Sequence, residues 1–150
     1  MKKSARRILS LALVLVLVCA LAATAFATPS SFFVEEDYDN ERYIAHAQAS
    51  ITTSTAEGQV GVEDTQLGKM VTGQSRYVSM QYSYTELYGN QTLLRSNSMT
   101  NTNTATLVAR VEFRAAQNQT LVSATFTFWA DVPTSQGTQR FAPDTVALSC

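Results

Sequence analysis

Apolar and polar residues alternate with a period of two over several stretches of the chain, which is typical of β-strands with one buried face. Residues 43–51 place Tyr, three Ala and Ile on one face and Ile, His, Gln and Ser on the other. Residues 76–88 alternate in the same way, with Val78, Met80, Tyr82 and Tyr84 on the apolar face. The pattern predicts two strands that are each half-buried.

A hairpin is expected after the second of these strands. Gly89-Asn90 fits a two-residue turn with glycine first, which would return the chain through residues 92–99. The turn sets Met80 opposite Met99. It also sets Tyr84 opposite Arg95, where a guanidinium can rest on a tyrosine ring.

The clearest alternation runs through residues 105–132. An even-numbered loop around Gln117-Asn118 would join its two halves as a hairpin and put small residues opposite large ones. The predicted pairs are Phe113 with Val122, Val111 with Ala124, Ala109 with Phe126, and Leu107 with Phe128. The same alternation places Trp129 on the opposite, threonine-rich face.

Two segments have weaker patterns. Residues 28–41 contain a proline and the acidic run 35–39, and they are interpreted as an acidic leader or linker. Residues 56–73 hold four of the six glycines, so they are predicted to be turns with at most a short strand near 60–62. A last short strand is expected over residues 145–150.

These elements predict an all-β domain over residues 42–150. Six or seven antiparallel strands with frequent turns favour a two-sheet sandwich, with an immunoglobulin-like layout as one option and a small barrel as the alternative. The Cys…Trp…Cys spacing of immunoglobulin domains is absent, so that likeness concerns architecture alone.

The first 27 residues have the three-part layout of a secretory signal peptide. Residues 1–7 are cationic, residues 8–21 are apolar, and Ala25-Phe26-Ala27 fits a cleavage site before Thr28. The lysine-rich start and alanine-rich site resemble bacterial secretion signals. We therefore expect a cleavable signal helix and a secreted or cell-surface protein.

Two alternatives to cleavage after Ala27 stay open. Residues 8–27 are just long enough to span a bilayer, so the segment can also act as an uncleaved anchor. Cys19 suggests a lipoprotein, but Val18 stands where a lipobox has a small residue.

Charge and composition exclude several classes of function. The whole chain has 11 basic and 12 acidic residues, but residues 28–150 carry 7 and 12. A net charge of −5 without a basic cluster argues against nucleic-acid binding. One histidine and two cysteines exclude a His/Cys metal cluster, and no cofactor is expected.

Catalysis has little support in the sequence. His46 lacks a recognisable nucleophile motif, and Asp37-x-Asp39-x-Glu41 lacks the glycine of a calcium loop, since Arg42 stands at that position. Glu112 lies between two arginines, which would lower the pKa of its carboxyl. A small secreted hydrolase using carboxylates such as Glu86, Glu112 and Asp131 remains the third hypothesis.

The leading hypothesis is a non-enzymatic binding module that takes an extracellular protein or glycan. Its candidate binding residues are Trp129, an aromatic side chain on a polar face, and Tyr84, within a tyrosine-rich strand. The second hypothesis is a structural or assembly subunit. Cys150, the only cysteine after the signal segment, would join two copies through an intermolecular disulfide, and Phe32-Phe33 would add to a neighbour's sheet. Membrane contact is expected only through the signal segment.

Overall fold

A computed structural model describes residues 30–150, and the predicted signal segment lies outside this part of the chain. Ten β-strands form within it: β1 (Ser31–Tyr38), β2 (Tyr43–Ile51), β3 (Thr55–Asp64), β4 (Lys69–Met70), β5 (Arg76–Tyr88), β6 (Gln91–Asn103), β7 (Val108–Arg114), β8 (Gln119–Thr134), β9 (Gly137–Phe141) and β10 (Val146–Ser149). The expected count of six or seven strands was too low. None of the described residues belongs to a helix that could cross a bilayer.

The strands form two antiparallel sheets of five strands each, which confirms the all-β, two-sheet prediction. Sheet A has the order β1-β2-β3, and both β4 and β7 pair with the far side of β3. Sheet B has the order β8-β5-β6, and both β9 and β10 pair with the free side of β8. The inner faces of the two sheets share one buried apolar cluster, as in a sandwich.

The predicted hairpin between β5 and β6 is confirmed, including its register. Met80 pairs with Met99 and Tyr84 pairs with Arg95. Gly89 has a φ of 62°, the left-handed conformation that this turn requires at its first position. The Arg95 guanidinium makes an ion pair with Glu86 at 3.6 Å, where the sequence predicted a contact with the Tyr84 ring.

The acidic segment interpreted as a leader is the edge strand β1 over most of its length. All eight of its residues pair with β2, from Ser31 opposite Ser50 to Tyr38 opposite Tyr43. The Phe32 ring stacks on Phe128 of sheet B with the ring centroids 6.2 Å apart. Apolar contacts on its inner face stabilise the strand. Its carboxylates are tolerated, because an edge strand keeps charged side chains solvated.

The glycine-rich segment predicted as turns contains β3, which lies inside sheet A. A Cβ on Gly58 would lie 2.6 Å from the Phe126 ring, so this glycine allows the two sheets to approach closely. The glycines of this segment were interpreted as turn residues, but Gly58 lies inside a strand, where only a residue of such small volume fits.

The predicted hairpin of residues 105–132 does not form. Strand β7 pairs with β3 in sheet A, so that Ala109 faces Val60 and Phe113 faces Ala56. Strand β8 belongs to sheet B and pairs with β5. Each strand buries one apolar face as predicted, but the two faces do not lie side by side. The face of β7 packs across the core on β5 and β6, and that of β8 packs on β2 and β3.

A β-bulge in β8 reverses the predicted burial at the start of that strand. The pairing with β5 shifts between Ser83 and Tyr84, which leaves Val122 as the extra residue. Leu121 is therefore buried and Val122 is exposed. Leu107 is also exposed, because it precedes β7 in a loop.

One charged side chain is fully buried between the sheets. The Arg76 guanidinium donates hydrogen bonds to the carbonyl oxygens of Val71 and Thr106, which belong to two different loops. Its Nε has no partner among the described residues. This arginine ties the loops before β5 and before β7 together.

The loops gather at two ends of the sandwich. The hairpin end consists of residues 30–31, 52–54, 87–94, 115–118 and Cys150, joined by backbone hydrogen bonds such as Ile51 to Ser30 and Leu87 to Asn118. The opposite end consists of residues 39–42, 65–68, 71–75, 104–107 and 135–136, joined by Thr65 to Arg42 and Gly73 to Thr104.

Candidate functional site

A groove of about 350 Å³ crosses the outer face of sheet A, at right angles to its strands. Its bed is the backbone at Phe32, Ala49 and Gly58; the first two turn their side chains to the core, and Gly58 has none. Two rows of outward side chains border it: Ser31, Ser50 and Glu57 on one side, and Phe33, Gln48, Gln59 and Arg110 on the other. The rows are two residues apart along the strands, about 7 Å, and the longer row spans about 14 Å.

The middle of the longer row offers hydrogen-bonding groups beside an exposed ring. Phe33 is 60% exposed, although it is a large apolar residue. The side-chain amides of Gln48 and Gln59 make no hydrogen bond to another group of residues 30–150. Each amide therefore keeps both its donors and its acceptor for a ligand.

An ion network closes the groove at β7. Arg110 Nη2 lies 2.6 Å from Glu57 Oε2 and 2.9 Å from Glu112 Oε2. Glu112 also accepts a hydrogen bond from Arg114, and this bond with the two arginine charges lowers the pKa of its carboxyl, as the sequence predicted. The charges largely neutralise one another, so the groove has no strong preference for a charged ligand.

The sequence-predicted binding residue Trp129 lies on the outer face of sheet B, where both faces of its indole are covered. The Tyr77 ring on β5 stacks on it with centroids 5.5 Å apart and an interplanar angle of 6°. On the other side, from β9, the Arg140 guanidinium carbon lies 4.1 Å from the ring centroid. A sugar ring would have to displace Arg140, which is also held by Asp131 at 2.9 Å, to stack on Trp129.

Tyr84 lies on the inner face of sheet B and is half-buried. Its ring centroid is 5.5 Å from that of Phe113 and 6.1 Å from that of Tyr82. Tyr84 and Trp129 are thus on opposite faces of one sheet, and neither lines the groove on sheet A.

The outer face of sheet B also has a wide, shallow depression lined by hydroxyl and amide side chains. Ser83 Oγ and Ser123 Oγ lie 2.7 Å apart within it and bond to each other. Part of its hydrogen-bonding capacity is therefore already used inside the protein, and no exposed aromatic ring accompanies it.

The three candidate carboxylates of a hydrolase are not brought together. Glu112 faces out from sheet A next to the groove. Glu86 lies on β5, where it contacts Arg95 and accepts a hydrogen bond from Gln119 at 3.2 Å. Asp131 lies on the outer face of sheet B with Arg140.

His46 is half-buried on the outer face of sheet A, one row beyond Gln48. It stands between Glu35 on β1 and Gly61 on β3. Burial lowers the pKa of its imidazole, and the nearby carboxylates of Glu63 and Glu35 oppose that effect.

The acidic positions considered for calcium are spread along β1 and its turn. The Asp39 carboxylate accepts hydrogen bonds from the backbone N–H and the hydroxyl of Ser135. Among residues 30–150, no three His, Cys, Asp or Glu side chains are placed to hold a metal ion.

Cys150 is exposed and makes no disulfide within the described part of the chain. Partial burial raises the pKa of its thiol. Its backbone N–H donates to the Val122 carbonyl at 3.1 Å, which fixes the chain end beside the bulge of β8.

The sequence did not predict the groove. Phe33 was placed in a leader that would add to a neighbour's sheet. The alternation in β2 predicted that Gln48 is exposed, but it did not indicate which residues would lie beside Gln48. The one local signal was that Phe33 stands between the apolar residues Phe32 and Val34, so that an extended chain must turn at least one large apolar side chain of this run outward. Neither a protein-family model nor a curated relative matches the chain.

Proposed function

We propose that this protein is a non-enzymatic binding module that takes a neutral oligosaccharide in the groove on sheet A. The observation that carries this proposal is the row in which the exposed Phe33 ring stands beside the two unpaired amides of Gln48 and Gln59. Sugar hydroxyls both donate and accept hydrogen bonds, as side-chain amides do. The apolar face of a sugar ring can rest on an aromatic ring.

A peptide ligand fits this groove less well. Extended peptides usually bind by adding a strand to a sheet edge through backbone hydrogen bonds. The groove instead crosses β1, β2 and β3, whose backbone groups already pair with one another. The mutual pairing of Arg110, Glu57 and Glu112 favours an uncharged ligand over an acidic or basic one.

The proposal includes export of the chain, because a glycan-binding module acts where glycans are exposed. The signal segment predicted at residues 1–27 supports it. An immunoglobulin-like strand layout and cleavage after Ala27 remain predictions at this point.

The test compares binding of neutral oligosaccharides by the wild-type protein, Phe33→Ala and a Gln48→Ala/Gln59→Ala double variant. We first screen an immobilised glycan panel and then measure the dissociation constant of the best ligand by calorimetry. Phe33→Ala should weaken binding about five- to tenfold, the loss of one aromatic contact. The double variant should weaken it at least as much, since it removes both amides.

Leu67→Ala is the matched control, because Leu67 is a similarly exposed apolar residue at the opposite end. It should bind like the wild type. Trp129→Ala tests the competing site on sheet B. Equal binding by wild type, Phe33→Ala and the double variant, with loss in Trp129→Ala, would move the site to sheet B and contradict the proposal.

A further inference from the structure

The tip of the β5–β6 hairpin, residues 87–94, exposes large apolar side chains. The pairing of β5 with β8 ends at Glu86 opposite Gln119, so residues 87–92 continue beyond it as a two-stranded ribbon. Leu87 and Tyr88 on the ribbon are 56% and 76% exposed, and Leu94, opposite Thr85 at its base, is 69% exposed. The base of the ribbon is fixed, because Leu87 N–H donates to the Asn118 carbonyl at 2.8 Å.

The loops around this tip carry no charged side chain. Within the hairpin end, residues 52–54, 87–94 and 115–118 are apolar or polar and uncharged. The nearest charged side chains are paired: Glu86 with Arg95, and Glu112 with Arg114. The opposite end differs, since its turn at residues 39–42 contains Asp39, Glu41 and Arg42.

The N-terminal part of the chain enters the structure at the same end. The Ser30 carbonyl accepts a hydrogen bond from Ile51 N–H at 2.9 Å, next to the loop of residues 52–54. In the sequence, the apolar run of residues 8–27 ends only a few residues before Ser30, which itself lies at the hairpin end.

We propose that the hairpin end docks on the surface of a zwitterionic lipid bilayer, with Leu87, Tyr88 and Leu94 in the headgroup region. Leucine and tyrosine side chains partition favourably into the membrane interface. Unpaired charges at this end would oppose docking, because they would lose their hydration. A bilayer surface accepts a few apolar side chains on a narrow ribbon. A stable protein interface needs about 20–30 residues a side, far more than the eight of the tip.

The sequence predicted membrane contact through the signal segment only. The proposed docking adds a second membrane contact, through the folded domain. If residues 1–27 are retained, they tether the protein and the tip sets its orientation. If they are removed, the tip alone gives weak and reversible binding. The groove on sheet A is not involved, so the test is independent of the saccharide ligand.

The experiment places a polarity-sensitive fluorophore at one of two matched leucines. Leu94→Cys lies at the tip and Leu67→Cys at the opposite end, with side chains of nearly equal exposure. Both variants carry Cys150→Ser and Cys19→Ser, are purified in the form that exporting cells produce, and are mixed with phosphatidylcholine vesicles containing a spin-labelled lipid. We expect a blue shift and quenching for the label at position 94, and an unchanged signal at position 67.

A second measurement uses the native Cys150, which lies at the hairpin end, as the labelled reporter. Leu87→Ser/Leu94→Ser should lower the vesicle partition coefficient of this reporter roughly tenfold, which corresponds to ~1.4 kcal/mol. Quenching that is the same at positions 94 and 67, or a Cys150 reporter that is unaffected by the double substitution, would overturn the proposal.

Discussion

Gly58 shows how closely the two sheets approach at their centre. In Gly58→Ala the new methyl group would lie 2.6 Å from the Phe126 ring, which is buried and cannot move away. We expect a loss of about 1–3 kcal/mol in the free energy of unfolding, measured by urea denaturation. In Gly61→Ala the closest atom is the flexible end of Met70, so a smaller loss is expected. Equal losses in the two variants would contradict this account.

Arg76 stabilises the opposite end through its two carbonyl partners. Arg76→Ala leaves the oxygens of Val71 and Thr106 without this donor and opens a void in the core. We expect a loss of about 3 kcal/mol in the free energy of unfolding, measured by urea denaturation. Arg95→Ala is the control, because its exposed ion pair contributes less than about 1 kcal/mol. Similar losses in both variants would show that burial at position 76 is unimportant.

His46 should make stability depend on pH in one direction. Its pKa in the folded protein is lowered by burial, so below the unfolded value of about 6.5 the unfolded chain binds more protons. The free energy of unfolding should therefore fall as the pH drops through that value, and it should not change through His46 above it. Urea midpoints measured at roughly pH 7.5 and 5.5 should differ more for the wild type than for His46→Gln. The opposite order would mean that Glu35 and Glu63 outweigh the burial.

At the scale of elements, the bulge of β8 decides which of two adjacent apolar residues is buried. Leu121→Ala should reduce the free energy of unfolding by about 2–5 kcal/mol, because it empties a core position. Val122→Ala should change it by less than about 0.5 kcal/mol, because Val122 is exposed. Urea denaturation of both variants checks the bulge directly. If Val122→Ala lost more free energy of unfolding than Leu121→Ala, the bulge would be contradicted and the alternation predicted from the sequence would be supported.

The strands that the sequence predicted best are those with one buried face. Strands β2 and β5 have such a face, and their bounds follow from period-two alternation. Gly89 sets the register of β6, which runs to Asn103, beyond the predicted residues 92–99. Strand β1 was missed because an edge strand shows a weak apolar face. Strand β3 was predicted only as a short strand near residues 60–62, because the inner surface of a closely packed sheet uses glycine at Gly58, a residue that otherwise marks turns.

At the scale of the whole molecule, alternation does not reveal which sheet a strand joins. Strands β7 and β8 each have an apolar face, and either a shared hairpin or a crossing between sheets would bury both. The groove depends on this choice, because Arg110 reaches it only when β7 pairs with β3. Exposed residues such as Gln48 gain a binding role only from neighbours that the register brings beside them.

The two sheets should unfold together. Their inner faces share one core, and the chain crosses between them three times, before β5, β7 and β8. Urea unfolding followed by Trp129 fluorescence, which reports on sheet B, should coincide with unfolding followed by far-ultraviolet circular dichroism, which reports on both sheets. Separate midpoints for the two signals would show that sheet A and sheet B are independent units.

Both ends of the described chain leave from the hairpin end, with β1 and β10 as edge strands of different sheets. A pulling force applied between these two ends would act on the strands where they begin to separate from their neighbours. It would peel β1 and β10 away one hydrogen-bonded pair at a time, at low force. A force applied between residue 67 and either end would instead load the strands along their length and break many pairs at once. The protein should therefore unfold at low force when it is pulled between its two ends. It should unfold only at high force when it is pulled between residue 67 and either end.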